Sequence, residues 1–92
     1  MSTYLMFGKY SMDAVKAVSP KRTERALALI KQNGGELVSG YALLGDTDLL
    51  LIVNFADMHN AMKTSVALSK LLSVSFSTVP AVSMADFDKL LE

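Results

Sequence analysis

The stretch that most constrains the fold is residues 41–55, YALLGDTDLLLIVNF. A β-prone run over residues 37–44 is followed by the turn-forming tetrad Gly45-Asp46-Thr47-Asp48 and then by the mostly apolar residues 49–55. Gly45 can adopt positive φ without a Cβ clash, and the aspartates can accept hydrogen bonds from backbone amides that a turn leaves unpaired. The pattern predicts a β-hairpin with a tight connection, whose second arm is a central strand.

The remaining segments predict two further strands and four helical segments. Residues 3–9 alternate as a strand does but carry apolar side chains on both faces, so both faces are expected to be covered. Residues 74–79 form a more polar strand that Pro80 ends, as is typical of a sheet edge. Asn33-Gly34-Gly35 ends the first long helix, because Asn and Gly tolerate the left-handed conformation. The residues predicted to cap the four helical segments are Ser11, Ser19, Asp57 and Ser83.

Apolar periodicity predicts which faces of these elements are buried. The expected stripe of the first long helix is Thr23, Ala26, Leu27 and Ile30, and that of the second, residues 58–72, is Met58, Met62, Ser65, Val66, Ser69 and Leu72. In the first arm of the hairpin, strict alternation puts Leu37, Tyr41 and Leu43 on one face and Val38, Gly40 and Ala42 on the other.

The order βαββαβ plus a terminal helix predicts a single α+β domain over residues 1–92. Right-handed crossovers convert this order into a four-stranded antiparallel sheet with both long helices on one face and the first and third strands in the middle. The two strands that are apolar on both faces are the same two. Because the helices cover only one face of the sheet, we expect a second sheet to cover the other, which gives a dimeric α/β barrel.

Composition favours association with another subunit and argues against several other partners. Hydrophobic residues make up 51 % of the chain, at or above the top of the usual range for soluble domains. Nine basic and nine acidic residues cancel, so nothing steers the chain toward nucleic acid or an anionic membrane. The absence of Cys fits a reducing compartment, and no apolar run approaches the length of a membrane span. We expect a cytoplasmic homodimer or higher homo-oligomer that binds neither nucleic acid nor membrane.

Five short motifs along the chain are Thr3-Tyr4-Leu5-Met6 with Lys9-Tyr10, Ser19-Pro20-Lys21-Arg22, Gly34-Gly35, Tyr41-Ala42-Leu43-Leu44-Gly45 with Asp48, and Phe87-Asp88. Together they resemble the GYD domain family along nearly the whole chain. The resemblance implies a ferredoxin-like fold of the kind that forms dimeric α/β barrels. One departure concerns the Gly-x-Tyr-Asp turn of the family, in which Thr47 stands here where the family has Tyr.

A looser similarity links the chain to the effector-binding domain of the Lrp/AsnC transcription regulators. That domain has a comparable Gly-x-Tyr-Asp turn before its core strand and binds amino acids between subunits. This chain has no helix-turn-helix segment, so only the ligand-binding half of the similarity can apply. If the aromatic residue of the turn lines a ligand pocket in relatives, Thr47 implies a lost or altered ligand.

A few polar side chains are candidates for a ligand site. Tyrosines at sheet positions more often serve packing than binding. Asp48 either caps backbone amides at the turn or stands at the mouth of a cavity, where desolvation would suit it to proton transfer. His59 is alone, with no Cys to complete a zinc site, and is expected at the surface, with a haem-like axial ligand and a proton shuttle as its alternative roles. The candidates for contact with a ligand are Tyr4, Lys9, Tyr10, Tyr41 and Asp48, and those for catalysis are Asp48 and His59.

These patterns favour an oligomeric module that binds a small metabolite in a cavity between sheet faces. No motif for a metal or another cofactor is present, and Gly34-Gly35 lacks the Lys of a phosphate-binding loop. A cofactor-free isomerase or oxygenase of the dimeric α/β-barrel type is the alternative. A third hypothesis is a structural partner that contacts another protein through its outer helical face.

Overall fold

The computed structural model describes residues 1–92 and has the predicted order of strands and helices. The predicted tight connection within the hairpin is a longer loop, residues 43–48, because β2 ends two residues earlier than expected. The elements are β1 (Ser2–Tyr10), α1 (Met12–Lys16), α2 (Pro20–Gln32), β2 (Glu36–Ala42), β3 (Leu49–Phe55), α3 (Met58–Leu72), β4 (Val74–Ala81) and α4 (Met84–Leu90).

The four strands form one antiparallel sheet in the order β2-β3-β1-β4. The prediction that the first and third strands lie in the middle is therefore confirmed. The edge strand β4 does not end at Pro80 as predicted, since Pro80 pairs with Tyr4 and Ala81 pairs with Thr3. An edge strand tolerates proline because it needs backbone donors on only one side.

Every predicted N-cap is confirmed. The side chains of Ser11, Ser19, Asp57 and Ser83 each accept a hydrogen bond from the backbone N–H three residues later, at 2.9–3.2 Å. These contacts satisfy amides that have no partner inside the helix. The four helices therefore begin where side-chain chemistry in the sequence predicts that they begin.

The end of α2 is a Schellman motif at Gly34 and Gly35. Gly34 has φ +78°, its N–H donates to the carbonyl of Lys31 at 3.0 Å, and the N–H of Gly35 donates to the carbonyl of Ile30 at 2.9 Å. A Cβ added at Gly35 would lie 2.6 Å from Cε1 of Phe55. The glycine pair thus ends the helix and also allows the chain to pass close to the buried ring of Phe55.

The hydrophobic core lies between the sheet and the helices, and of the stripe predicted for α3 only Leu72 is buried in it. The buried residues of α3 are Ala61, Thr64, Leu68 and Leu72, whereas Met58, Met62 and Val66 are more than half exposed. Thr64 satisfies its hydroxyl by donating to the carbonyl of Asn60 at 2.7 Å. The whole core cluster is Tyr4, Met6, Ala14, Ala26, Ile30, Leu51, Val53, Phe55, Ala61, Leu68, Leu72 and Val74.

The predicted stripe of α2 is only partly confirmed. Ala26 and Ile30 are buried, as expected. Thr23 and Leu27 are exposed instead, and Leu29 is half-buried against the core. The helix is therefore rotated slightly from the orientation that its apolar pattern predicts.

A β-bulge in β2 changes the predicted assignment of its faces. Leu37 pairs with Val53, but Ser39 pairs with Ile52, so Val38 is an extra residue in the ladder. Because one extra residue reverses the alternation, Leu37 and Tyr41 lie on opposite faces. After the bulge, Tyr41 pairs with Leu50 and shares the side of the sheet that the helices leave uncovered.

The molecule has two layers, one of sheet and one of helices. Its smallest principal extent is 18 Å, which is about the thickness of one sheet with one helix layer on it. No residue of α4 is buried, and its apolar residues Met84, Phe87 and Leu90 are exposed. The face of the sheet opposite the helices is therefore free in a single chain.

Candidate functional site

The uncovered side of the sheet, which we call the open face, is apolar at its centre. Leu5 and Phe7 of β1 lie there beside their β3 partners, Ile52 and Leu50. All four side chains are half-buried by their neighbours within the sheet. Val79 of β4, which pairs with Leu5, extends the apolar surface toward the edge and is exposed.

The polar groups of the open face lie around this apolar centre. Tyr41 is exposed beside Leu50, and Lys9 is exposed two residues beyond Phe7 on the same side of β1. At the other end of the strands, the hydroxyl of Thr3 donates to Oδ1 of Asn54 at 2.7 Å. Of the candidate ligand residues, Lys9 and Tyr41 are thus the two that the fold places on the open face.

Tyr4 and Tyr10 lie on the opposite side of the sheet. Tyr4 is buried in the core, with its ring edge-on to that of Phe55 at a centroid distance of 5.8 Å. Tyr10 packs against the same core and is half-buried. The sequence pattern predicts both as ligand contacts in a cavity between sheet faces, but the even-numbered positions of β1 direct them toward the helices instead.

Asp48 joins the hairpin loop to the end of β1. Its Oδ2 accepts a hydrogen bond from the backbone N–H of Tyr10 at 2.9 Å, and its own N–H donates to the carbonyl of Gly8 at 2.8 Å. Its carbonyl accepts from the N–H of Leu43 at 2.9 Å, which closes the loop. The carboxylate therefore caps a backbone amide, as the first of the two hypotheses for this residue expected.

Replacing Asp48 with alanine should lower the free energy of unfolding by about 1–2 kcal/mol, because the amide of Tyr10 loses a charged acceptor in a half-buried position. Asp48→Asn should cost less than half as much, because the amide oxygen can still accept that hydrogen bond. Urea denaturation at one protein concentration measures both changes. Asp46→Ala, in the exposed part of the same loop, is the control and should change stability by less than about 0.5 kcal/mol. An equal loss for Asp46→Ala would contradict the capping role.

A cavity of about 100 Å³ lies between α2 and the sheet. Its walls are mostly apolar, with Ile30, Leu51 and Val74 among them, and Tyr10 lies on the sheet side. Arg22 also lines it, and Nη1 of Arg22 donates to the carbonyl of Ala14 at 2.8 Å. This α2 cavity is on the helical side of the sheet and is separate from the open face.

His59 and Asp48 lie far apart in the structure. Asp48 precedes the first residue of β3, whereas His59 is the second residue of α3, which follows the other end of that strand. A seven-residue strand spans roughly 23 Å, so Asp48 and His59 of the same chain cannot act on one substrate atom. His59 is exposed, which agrees with the prediction that it is a surface histidine.

Two kinds of feature are not found in the structure. No group of three or more His, Cys, Asp or Glu side chains is arranged to hold a metal ion. No helix combines the length and the apolar composition that a bilayer crossing requires.

Of the α2 residues that line the cavity, Arg22 alone lies outside the predicted apolar stripe. Its position four residues before Ala26 is the signal that could have identified it. A small residue on the buried face of a helix leaves room beside it, and a cation one turn away can reach that room. The apolar pattern of α2 alone cannot show that this room is left unfilled.

Comparison with solved structures supports the fold. The leucine response regulatory protein LrpA of Mycobacterium tuberculosis superposes with a TM-score of 0.60 at 12% identity, over 90% of this chain and 51% of that protein. A glutamate-to-alanine mutant structure gives 0.59 at 13% identity, over 90% and 51% of the two chains. A glycine-to-threonine mutant of Rv3291c gives 0.60 at 12% identity, over 91% and 52%. The chain spans about half the length of these proteins, and at such identity the likeness concerns the fold alone.

The sequence itself identifies the family. No curated protein gives a significant match to it. Residues 4–91 match the GYD domain, and this match includes nearly all of the chain. The chain therefore belongs to the GYD domain family.

Proposed function

We propose that the protein is an oligomeric binding module in which two copies pack through their open faces and hold a small metabolite between them. The observation that carries this proposal is the open face itself. Its centre consists of Leu5, Phe7, Leu50 and Ile52, and no element of the same chain covers them. Antiparallel sheets commonly leave one face to solvent, but such a face is polar, whereas the centre of this one is apolar.

The large exposed area of the chain supports association with a second copy. The accessible surface is 6335 Å², whereas a folded monomer of 9.9 kDa is expected to expose about 5,200 Å². A second copy presents the same apolar centre, and because the chain has no net charge, two copies do not repel each other. Sheets that pack face to face lie about 10 Å apart, which is close enough for the side chains of both to interdigitate.

Lys9 and Tyr41 give the space between the sheets its polar contacts. Both lie beside the apolar centre, and both are exposed in the single chain. A metabolite with an apolar body and a polar or anionic group would match this arrangement, because pockets generally combine apolar walls with a few placed polar groups. Tyr41 and Phe7 are the aromatic residues of this part of the open face, because Thr47 in the hairpin loop carries no ring.

The test of the proposal is the mass of the protein in solution. Light scattering behind a sizing column, at low micromolar concentration and two salt levels, should give twice 9.9 kDa or a multiple of that value. Because the contact is apolar, the mass should not fall at the higher salt level. A monomer under both conditions would refute the dimer and with it the binding space between the sheets.

Metabolite binding is tested on the dimer by thermal stabilisation. A ligand that binds only the folded protein raises its melting temperature in a concentration-dependent way. We expect such an increase for an amphipathic metabolite, and we expect Tyr41→Ala to reduce it while the dimer mass is retained. An increase that is unchanged in both Tyr41→Ala and Lys9→Ala would place the ligand elsewhere.

A further inference from the structure

We propose that the α2 cavity is a second binding site, which takes the tail of a short-chain aliphatic carboxylate whose anionic group contacts Arg22. This site lies within one chain, on the helical side of the sheet. It does not depend on whether two open faces associate.

The volume and walls of the cavity define the tail of the ligand. A volume of about 100 Å³ is smaller than the roughly 150 Å³ of an apolar cavity that holds benzene, so it suits a branched tail of about four carbon atoms. Nine of the twelve lining residues are hydrophobic, which favours an aliphatic group over water. Ala26 forms part of the wall from α2, and its small side chain leaves the space open.

Arg22 defines the head of the ligand. The guanidinium group has five N–H donors, and the carbonyl of Ala14 accepts a hydrogen bond from Nη1. Arg22 is only half-buried, so its remaining donors can reach a group that enters from solvent. A carboxylate is the group that such a fork of donors matches best.

A polar groove next to the cavity supports an anionic head rather than a neutral one. The groove shares Ser19 and Arg22 with the cavity, and it is also lined by Lys21 and Arg25. Asp13 is the one acidic residue of its lining, against three cations. The first turn of α2 contains no acidic residue that could neutralise them. An anion at the mouth of the cavity would therefore meet a local excess of positive charge although the chain as a whole is neutral.

The first experiment compares three probes on the wild-type protein by NMR titration at neutral pH. Isovalerate should bind in the millimolar range and shift the amide signals of residues around the cavity, such as Ala26 and Leu51. Acetate lacks three buried carbon groups and should bind roughly fiftyfold more weakly. Isovaleramide has the same tail without the charge and should bind about tenfold more weakly. No binding of isovalerate at tens of millimolar, or signal changes confined to the open face, would overturn the proposal.

Variants of the protein then test separately how the aliphatic tail and the carboxylate of the ligand contribute to binding. Ala26→Leu fills the cavity and should abolish binding of isovalerate, whereas Ala28→Leu, on the exposed side of the same helix, should leave it unchanged. Arg22→Gln should weaken isovalerate about tenfold or more and leave isovaleramide unaffected, and Arg22→Lys should restore part of the loss. Lys31→Gln removes one positive charge near the other end of α2 and should have no effect. Equal binding by Ala26→Leu and Ala28→Leu would refute the site. If Ala26→Leu does not fold, the ranking of the three probes on the wild type decides the question.

Discussion

Ile52→Lys is expected to raise the dissociation constant of the proposed dimer by at least two orders of magnitude. Ile52 lies on the open face of the central strand β3, between Leu5 and Ser39 of the neighbouring strands. An unpaired charge buried in the contact costs about 3–5 kcal/mol, and 1.4 kcal/mol is a factor of ten in affinity. In a dissociated chain the ammonium group reaches water from this face, so the subunit should still fold. Light scattering over a dilution series gives the dissociation constant, and far-UV circular dichroism verifies the fold.

Val66→Lys is the matched control for Ile52→Lys. Val66 is also an exposed apolar residue of the single chain, but it lies on the outer surface of α3. The control should keep the mass of the wild type. If Val66→Lys dissociates the protein and Ile52→Lys does not, the contact between copies uses the helical layer, and the proposed space between sheets does not exist.

Phe55→Ala should lower the free energy of unfolding by about 3–5 kcal/mol, which is the largest stability loss that we expect from one truncation in this chain. Phe55 is fully buried at the end of β3, packs edge-on against Tyr4, and has no space between its ring and Gly35. The surroundings cannot collapse easily into the vacated volume, because α2 ends and turns at this point. Urea denaturation at a fixed protein concentration measures the loss.

Phe87→Ala provides the comparison for Phe55→Ala. Phe87 lies on α4, of which no residue is buried, so its removal should change stability by less than about 0.5 kcal/mol. A loss at Phe87 comparable to that at Phe55 would mean that α4 is covered by another subunit. An effect at Phe55 below about 1 kcal/mol would contradict the packing described for the core.

The ends of the elements could be predicted from the sequence because local chemistry determines them. Ser19 followed by Pro20 allows few alternatives to a helix start, and Asn33-Gly34-Gly35 allows few alternatives to a helix end. These signals act over three or four residues and do not depend on what the helix packs against. The strand order followed from the handedness of the connections and from the two strands that are apolar on both faces.

The buried face of α3 could not be predicted in the same way. Met58, Met62 and Val66 recur with helical spacing, but so do Ala61, Thr64 and Leu68, and periodicity does not choose between two such sets. Hydrophobicity favours the larger side chains, whereas close approach of the helix to the sheet favours Ala61 and Thr64. The second effect prevails, since Thr64 finds its hydrogen-bond acceptor inside the helix.

The candidate site was predictable only in part, and the bulge in β2 is the main reason. One extra residue at Val38 moves Tyr41 to the face opposite Leu37, and no side-chain preference near Val38 indicates it. Asp48 was predictable as a cap because a turn that opens a strand leaves amides unpaired. The α2 cavity was not predictable, because it depends on how closely α2 approaches the sheet.

The two edge strands of the sheet limit how copies of this chain can assemble. A regular edge offers a row of backbone donors and acceptors on which another strand can add, and repeated addition produces open ribbons. Here β2 carries a bulge that twists its edge, and β4 carries Pro80, which has no N–H to donate. Growth along the sheet is therefore disfavoured at both edges. The proposed packing of two open faces would instead cover the apolar centre of each sheet in a single step, so it would give a closed pair rather than a fibre.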